Sequence, residues 1–175
     1  GGWYEMDYIA ALGLGFGGGV SLTTTYTSYT SPNDSFAHVK EIMEKLAVAN
    51  MVNPYAIVAF ELDESGQADA GASRGTYIEL GVGPSYSGSK ASVAFPIKVG
   101  LSGHDYYEFG TGKDGKFGYF SIAGLVTVPA RAHFNVHGGA ELQAYGDSLK
   151  KYNGFGDKGD RSTDGIISLG LGFSF

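Results

Sequence analysis

The 175-residue chain has no cysteine, which excludes disulfides and thiolate metal sites. It also lacks any apolar run near the roughly 18–20 residues that a membrane helix needs, so a helical membrane protein is not expected. Charged residues make up only 17%, the net charge is −6, and Lys and Arg are scattered. Nucleic-acid binding therefore has no support. The first seven residues lack the basic start and apolar segment of a secretory signal, which for an exported protein indicates a mature form or a fragment.

Glycine and aromatic residues are abundant instead, with 29 Gly, 12 Tyr and 11 Phe. A disordered chain would be poor in aromatics, so this composition favours a folded domain. The length fits a single domain, here taken as residues 1–175. The hydrophobic content of 43% is ordinary, which leaves a β-barrel open, because alternating strands dilute the apolar signal.

Apolar side chains alternate with small or polar ones in about nine segments, which is the period of a β-strand. The last segment is the clearest, since large apolar residues occupy every second position from Ile167 to Phe175 and Ser or Gly lies between them. The segments cover approximately residues 4–16, 20–27, 39–49, 55–62, 77–82, 92–101, 120–128, 134–143 and 167–175. The pattern predicts an all-β chain: an antiparallel up-and-down transmembrane β-barrel of the bacterial outer membrane.

The connections between these segments alternate in length. Four are short (17–19, 49–53, 87–90 and 130–133) and four are long and polar (31–38, 63–74, 103–116 and 146–163). Outer-membrane barrels have short periplasmic turns and longer outside loops, so the alternation supports the same architecture. Pro96 lies inside one segment and predicts a bulge or a local break there, because proline cannot donate a ladder hydrogen bond.

Residues 39–49 fit two templates. As a helix they place apolar residues at helical spacing and pair Glu41 with Lys45. As a strand they place Glu44 on the lipid face, at some cost in free energy. The strand is favoured because it keeps the loop alternation intact. It makes the strand count odd, whereas bacterial barrels have even counts, so the barrel is expected to be N-terminally incomplete. The helix would leave eight strands but break the loop pattern near the start.

Charged and polar residues of the opposite phase are the first candidate site, as a lumen lining. They are Glu5, Asp7, Glu41, Lys45, Glu61, Glu79, Lys98, His137 and Glu141. Rings of carboxylates favour cations, so one interpretation is a cation-preferring passage. The other is a hydrogen-bonded network that fills a narrow barrel, and both would contain a pair such as Glu79 with Lys98.

A catalytic site is not expected, and neither is a metal or a cofactor. His137 shares a face with Asn135 and Glu141, with Ser92 and Ser121 nearby, but any polar barrel interior offers such pairs. Aromatic residues near strand ends predict membrane-interface anchors. For Tyr106 and Tyr107 there are two interpretations, contact with a ligand and membership of the same outer aromatic belt, and the belt is favoured. The anchors are Trp3, Tyr26, Tyr86, Phe173 and Phe175.

The chain resembles a family of uncharacterised porins of Gram-negative bacteria, the TorF-like barrels. The resemblance rests on the following stretches: WYEMDYIAALGLGF, TTTYTSYTSP, NPYAIVAFELD, GTYIELGVGPSYS, GYFSIAGLVTVP, FNVHGG and LGLGFSF. It implies a twelve-stranded barrel, with about three strands before Gly1, and a pore-like role. Glu44 departs from the family-like pattern, which has an apolar or aromatic residue there.

The leading functional hypothesis is a porin-like barrel that passes small hydrophilic solutes. The alternatives are a plugged structural or adhesive barrel that acts through its outer loops, and a soluble lipocalin-like ligand-binding barrel. The expected partners are outer-membrane lipid, small hydrophilic solutes and, through the C-terminal strand, the barrel-assembly machinery.

Overall fold

A computed structural model describes residues 5–34, 38–62, 73–108, 113–131, 133–152 and 160–173. Within these residues the chain forms eleven β-strands and one short helix, which confirms the predicted all-β class. The strands are β1 (Met6–Gly17), β2 (Val20–Thr30), β3 (Val39–Val48), β4 (Tyr55–Glu61), β5 (Thr76–Val82), β6 (Ser85–Ser87), β7 (Ser92–Ala94), β8 (Ile97–His104), β9 (Phe117–Arg131), β10 (Phe134–Tyr145) and β11 (Thr163–Phe173). The helix is α1 (Asp147–Tyr152).

The strands form one antiparallel up-and-down sheet in the order β1-β2-β3-β4-β5-β8-β9-β10-β11, as the sequence predicted. Consecutive strands are paired except around β6 and β7, where β5 pairs with β8, β6 with β7 and β7 with β9. The short connections therefore gather at one end of the sheet and the long ones at the other. The short ones cover residues 18–19, 49–54, 88–91 and 132–133. The long ones cover residues 31–38, 62–75, 105–116 and 146–162.

Residues 39–48 are a strand, so the preferred template is confirmed and the helical alternative is wrong. β3 is hydrogen-bonded along both edges, to β2 and to β4. These two ladders override the local helical spacing, since propensity is a weak prior against tertiary context. The Glu44 carboxylate also has a donor there, because the Thr24 hydroxyl lies 2.9 and 2.8 Å from its two oxygens.

Two breaks explain why eleven strands appear where about nine were predicted. The expected break at Pro96 separates β7 from β8, and both of these strands pair with β9. A matching break at residues 83–84 separates β5 from β6, which the sequence reading did not predict. The breaks face each other, since the Phe95 N–H donates to the Pro84 carbonyl at 2.9 Å. The chain therefore crosses the sheet nine times.

Helix α1 was not predicted, because residues 146–163 were interpreted as a loop throughout. It has six residues and begins at Asp147, whose charge favours a helix N-terminus. Its Ser148 lies against Gly115, where an added Cβ would clash with the serine side chain. Among the residues that the structure describes, none of the helices combines the length and hydropathy of a membrane span.

Strands β1 and β11 are the two edges of the sheet within the described residues. An even number of antiparallel steps separates them, so they run in the same direction. Direct pairing of β1 with β11 would therefore be parallel, unlike every other pair in the sheet. Every residue of β1 is exposed, on both faces of the sheet.

The two faces of the sheet differ in chemistry. We call one the polar face; its side chains include Asp7, Thr27, Glu41, Lys45, Tyr55, Ala59, Glu61, Tyr77, Glu79, Lys98, Tyr119, Ser121, His137, Glu141 and Asp164. The other is the apolar face; it includes Leu12, Phe16, Tyr26, Ile42, Leu46, Phe60, Leu80, Phe120, Ile122, Leu142, Ile167, Leu169 and Phe173.

Burial is the reverse of what a water-soluble sheet shows. On the polar face, Ala59 and Ser121 are each only 1% exposed. On the apolar face, Phe60 is 44% exposed and Leu169 is 84% exposed. The covered side of this sheet is therefore its polar side. A soluble protein rarely presents contiguous apolar surface on this scale.

Candidate functional site

The centre of the polar face is a carboxylate that accepts hydrogen bonds from three phenols. The Tyr55 hydroxyl donates to Oε1 of Glu79 at 2.8 Å. The hydroxyls of Tyr77 and Tyr119 both donate to Oε2 at 2.6 Å and lie 2.9 Å from each other. Hydrogen bonds to an ionised group are each worth about 1.5–3 kcal/mol, so this cluster stabilises a charge that partial burial would otherwise penalise.

Two glycines make this convergence possible. Tyr119 is on β9 and Glu79 is on β5, with β8 between them. At Gly100 of β8 an added Cβ would overlap the Tyr119 ring, and at Gly81 of β5 it would overlap the Tyr55 ring. Because neither glycine has a side chain, the tyrosine ring can lie over its backbone and reach the Glu79 carboxylate.

Two ammonium groups lie against the same tyrosines. Lys45 Nζ is 4.6 Å from the ring centroid of Tyr55, and Lys98 Nζ is 5.6 Å from that of Tyr119. Both distances are in the cation–π range. Lys98 also forms an ion pair with Glu141 at 3.6 Å. The direct ion pair of Lys98 is therefore with Glu141, and its charge also acts on Glu79, whose carboxylate is hydrogen-bonded by the three tyrosines.

The hydrogen bonds continue toward the edge of the sheet. Gln143 Nε2 donates to Glu141 at 2.9 Å, and the Tyr145 hydroxyl donates to Gln143 Oε1 at 2.7 Å. The same hydroxyl is 3.3 Å from Asp164, which also accepts from Arg161 at 2.7 Å. We call the whole set, from Lys45 on β3 to Asp164 on β11, the tyrosine–carboxylate network. It links side chains of opposite charge across most of the sheet.

Glu41 and Glu61 lie apart from this network, toward the end with the long connections. They are direct cross-strand partners, and the Glu61 side chain accepts the Gly75 N–H. Like charges placed directly opposite in a sheet are destabilising, so this pair is an unfavourable arrangement that the sequence nevertheless contains. Asp7 is exposed on the edge strand, and Glu5 is exposed just before that strand begins.

His137 lies beside Asn135 and Gly170. Its Nδ1 is 3.2 Å from Asn135 Oδ1, and its ring lies over Gly170. The Ser121 hydroxyl bonds to Glu141, and Ser92 bonds to Ser87 at 3.2 Å. Both serines are thus engaged away from the imidazole.

The predicted anchors lie on the apolar face where the structure describes them. Tyr26 is 37% exposed, Tyr86 is 71% exposed, and the ring of Phe173 packs against Phe134 at 4.9 Å. Trp3 and Phe175 lie outside the described residues.

Tyr106 and Tyr107 do not join these anchors. We call residues 105–108, which follow β8 on the long-connection side, the tyrosine strap. The Tyr106 ring is 5.0 Å from that of Tyr77 on the polar face. Tyr107 packs edge-on against Tyr106 at 5.1 Å and is 4% exposed. The prediction of an outer aromatic belt at these two positions therefore differs from the structure.

Asp114 fixes the strap from the other side of the connection. Its carboxylate accepts the N–H of Asp105 at 3.0 Å and that of Tyr107 at 3.4 Å. It also forms an ion pair with Lys116 at 2.5 Å. Burial raises the pKa of Asp114, but the hydrogen bonds from Lys116, Ser102 and the Tyr107 backbone outweigh that effect and lower it below its ordinary value.

The tyrosines of the network were missed as site residues. The signal was present, since Tyr55 and Tyr77 have the same alternation phase as Glu61 and Glu79.

No family model, curated protein or solved structure matches the chain.

Proposed function

We propose that this sheet is part of a closed β-barrel in the bacterial outer membrane, and that the barrel passes small hydrophilic solutes with a preference for cations. The observation that carries the proposal is the contrast between the faces. Large apolar side chains such as Ile167 (89% exposed) and Leu169 (84% exposed) lie on the apolar face, and the Glu61 side chain (5% exposed) is covered on the polar face. Lipid is the solvent that suits such an outer face, and water suits the inner one.

The proposed closure concerns the two edges, β1 and β11. Because these edges run in the same direction, an odd number of added strands would complete an antiparallel barrel. Each edge also presents backbone groups that an added strand would satisfy, as the interior of a membrane requires.

The preference for cations follows from the charges of the polar face. Its carboxylates in the described strands are Asp7, Glu41, Glu61, Glu79, Glu141 and Asp164. Two lysines, Lys45 and Lys98, oppose them on the same face. An excess of carboxylates along a passage raises the local concentration of cations and lowers that of anions.

The test is single-channel recording of the full-length protein in planar bilayers. Discrete steps that reverse at a cation-selective potential are expected. Glu41→Gln should lower the ratio of cation to anion permeability, because it removes a polar-face charge. Glu44→Gln is the matched control: it is on the same strand but on the apolar face, and should leave the ratio unchanged. Equal permeability of Na⁺ and Cl⁻ in the wild type would remove the cation preference.

A plugged barrel is the second candidate, and the tyrosine–carboxylate network favours it. Side chains that already satisfy one another, as Glu79 does with its three phenols, can fill an interior without conducting. A protein that is folded and inserted but electrically silent would support this role. A soluble lipocalin-like barrel has less support, since its apolar face would be the covered one. A monomer stable in buffer without detergent would favour it.

A further inference from the structure

We propose that the apolar face carries a binding site for an anionic, phosphorylated lipid, with the phosphate at Arg161 and the acyl chains on either side of Phe120. The inference goes beyond the passage of solutes and rests on one part of the proposed function, the insertion of the sheet in a membrane. The site extends from β5 to β11, toward the end of the sheet that has the long connections.

Two cavities meet at Phe120 on this face. The larger has a volume of about 530 Å³ and lies against β9, β10 and β11. The smaller has a volume of about 330 Å³ and lies on the other side of Phe120, where its apolar lining is Leu80, Val82, Ile97 and Val99. Both volumes are in the range of about 300–1,000 Å³ that is usual for small-molecule sites.

The shape of the larger cavity follows from the register of the sheet. One cross-strand row consists of Phe120, Ala144 and Thr163, and the next consists of Ile122, Leu142 and Gly165. The small residues of these rows leave space beside the large ones. A Cβ added at Gly165 would meet Leu142 Cδ2 at 3.7 Å, which is an ordinary contact, so a larger residue would fit there by filling the cavity.

The edge of the sheet presents its chemistry in the order of an amphiphile. Alternate positions, from the long-connection end, carry a guanidinium at Arg161, a hydroxyl at Thr163 and no side chain at Gly165, and all three line the larger cavity. Ile167 and Leu169 follow on the same face and are 89% and 84% exposed. A lipid with its phosphate at the long-connection end would meet charge, then space, then apolar surface.

Arg161 is placed to bind the phosphate. Its side chain is 53% exposed, and its Nη1 donates to Asp164 at 2.7 Å, which orients the guanidinium. A guanidinium has five N–H donors and binds phosphate through two at once, so one bond to a carboxylate leaves donors for a ligand. The Arg161 backbone N–H donates to the Lys150 carbonyl at 3.1 Å, which ties this residue to α1.

The nearby carboxylates are already matched by donors. Asp164 also has the Tyr145 hydroxyl at 3.3 Å, and Asp147 pairs with Lys150 at 3.0 Å. The charges of these two ion pairs cancel, so the phosphate would be recognised by directed hydrogen bonds from Arg161. Such a site should prefer an uncovered phosphate monoester to a phosphate that carries a choline group.

Native mass spectrometry of the full-length protein in detergent tests the phosphate contact. The protein is mixed with equal amounts of phosphatidic acid and phosphatidylcholine that have identical acyl chains, and the retained lipid is counted. Wild type should retain phosphatidic acid in preference. Arg161→Gln should lower that preference by about fivefold, the factor expected for one partly exposed ionic contact. Lys90→Gln removes an exposed cation at the short-connection end and should leave the preference unchanged.

Gly165→Val tests the cavity. The new side chain should fill the space beside Leu142 and lower the retention of phosphatidic acid. Ala10→Val is the matched control, because it enlarges an exposed residue of the apolar face on β1, away from both cavities. Heat-modifiable gel migration shows that each variant is folded before its lipid is counted.

Equal retention of the two lipids by the wild type would overturn the lipid site and leave the proposed barrel standing. Equal losses in Arg161→Gln and Lys90→Gln would do the same. A wild type that remains a monomer in buffer without detergent would overturn the lipid site and the proposed function together.

Discussion

The Tyr119 hydroxyl donates a 2.6 Å hydrogen bond to Glu79 across a whole intervening strand. Neighbouring strands in this sheet are tied by backbone ladders, whereas this bond joins β9 to β5 over β8. It is therefore a tertiary contact inside the polar face, and it makes the cluster depend on the shape of the sheet as well as on its pairing.

Tyr119→Phe removes the donor but keeps the ring. We expect the free energy of unfolding to fall by about 1–2 kcal/mol, since Glu79 loses one charge-assisted hydrogen bond and keeps two. Urea titration in lipid vesicles measures the change. Tyr26→Phe is the control, because Tyr26 is exposed on the apolar face. Equal effects of the two substitutions would contradict the importance of the cluster.

Gly100→Ala should be more disruptive than its size suggests. The new methyl group would overlap the Tyr119 ring and push the phenol away from Glu79. Overpacking of this kind costs about 1–3 kcal/mol. Gly15→Ala, on β1, meets no atom within 4 Å and should be close to neutral. Thermal unfolding of the two variants in the same detergent compares them, and equal midpoints would refute the steric argument.

Glu44→Leu is expected to stabilise the inserted protein, by up to about 1 kcal/mol, because a carboxylate on the lipid side is unfavourable. The Thr24 hydroxyl loses its acceptor, which limits the gain. Glu141→Leu should do the opposite, since Lys98 and Gln143 would lose their partner on the polar face. Urea unfolding in vesicles gives both signs. Destabilisation by Glu44→Leu would argue against a lipid-facing apolar surface.

The strap should loosen in acid. The pKa of Asp114 is lowered in the folded protein, so its contribution to stability is fully present above the ordinary pKa of 3.8 that it has when unfolded. That contribution is lost as the pH falls toward the lowered folded value. Amide hydrogen exchange at Asp105 and Tyr107, whose N–H groups bind Asp114, should accelerate over this interval. In Asp114→Asn the acceleration should be absent, and persistence of the same pH dependence there would assign it to another group.

The alternation of side chains was enough to predict the strands and their two faces. The break at Pro96 could also be predicted, because the lack of a backbone N–H donor is a property of that single residue. The network could not be predicted in the same way. Parity places Tyr119 and Glu79 on one face, but their contact depends on Gly100 in a third strand, and a one-dimensional pattern carries no such information. Helix α1 was also not predicted, because its six residues are too few to show helical periodicity.

The pairing of most strands with the next one along the chain also affects how such a molecule folds and evolves. Nearly all pairing is between consecutive segments, so every hairpin can form before the next one is needed, and few long loops must close early. Insertion or deletion of one hairpin changes the strand count by two and reroutes no other connection. An architecture of this kind can grow or shrink in circumference while keeping its loops on the same side.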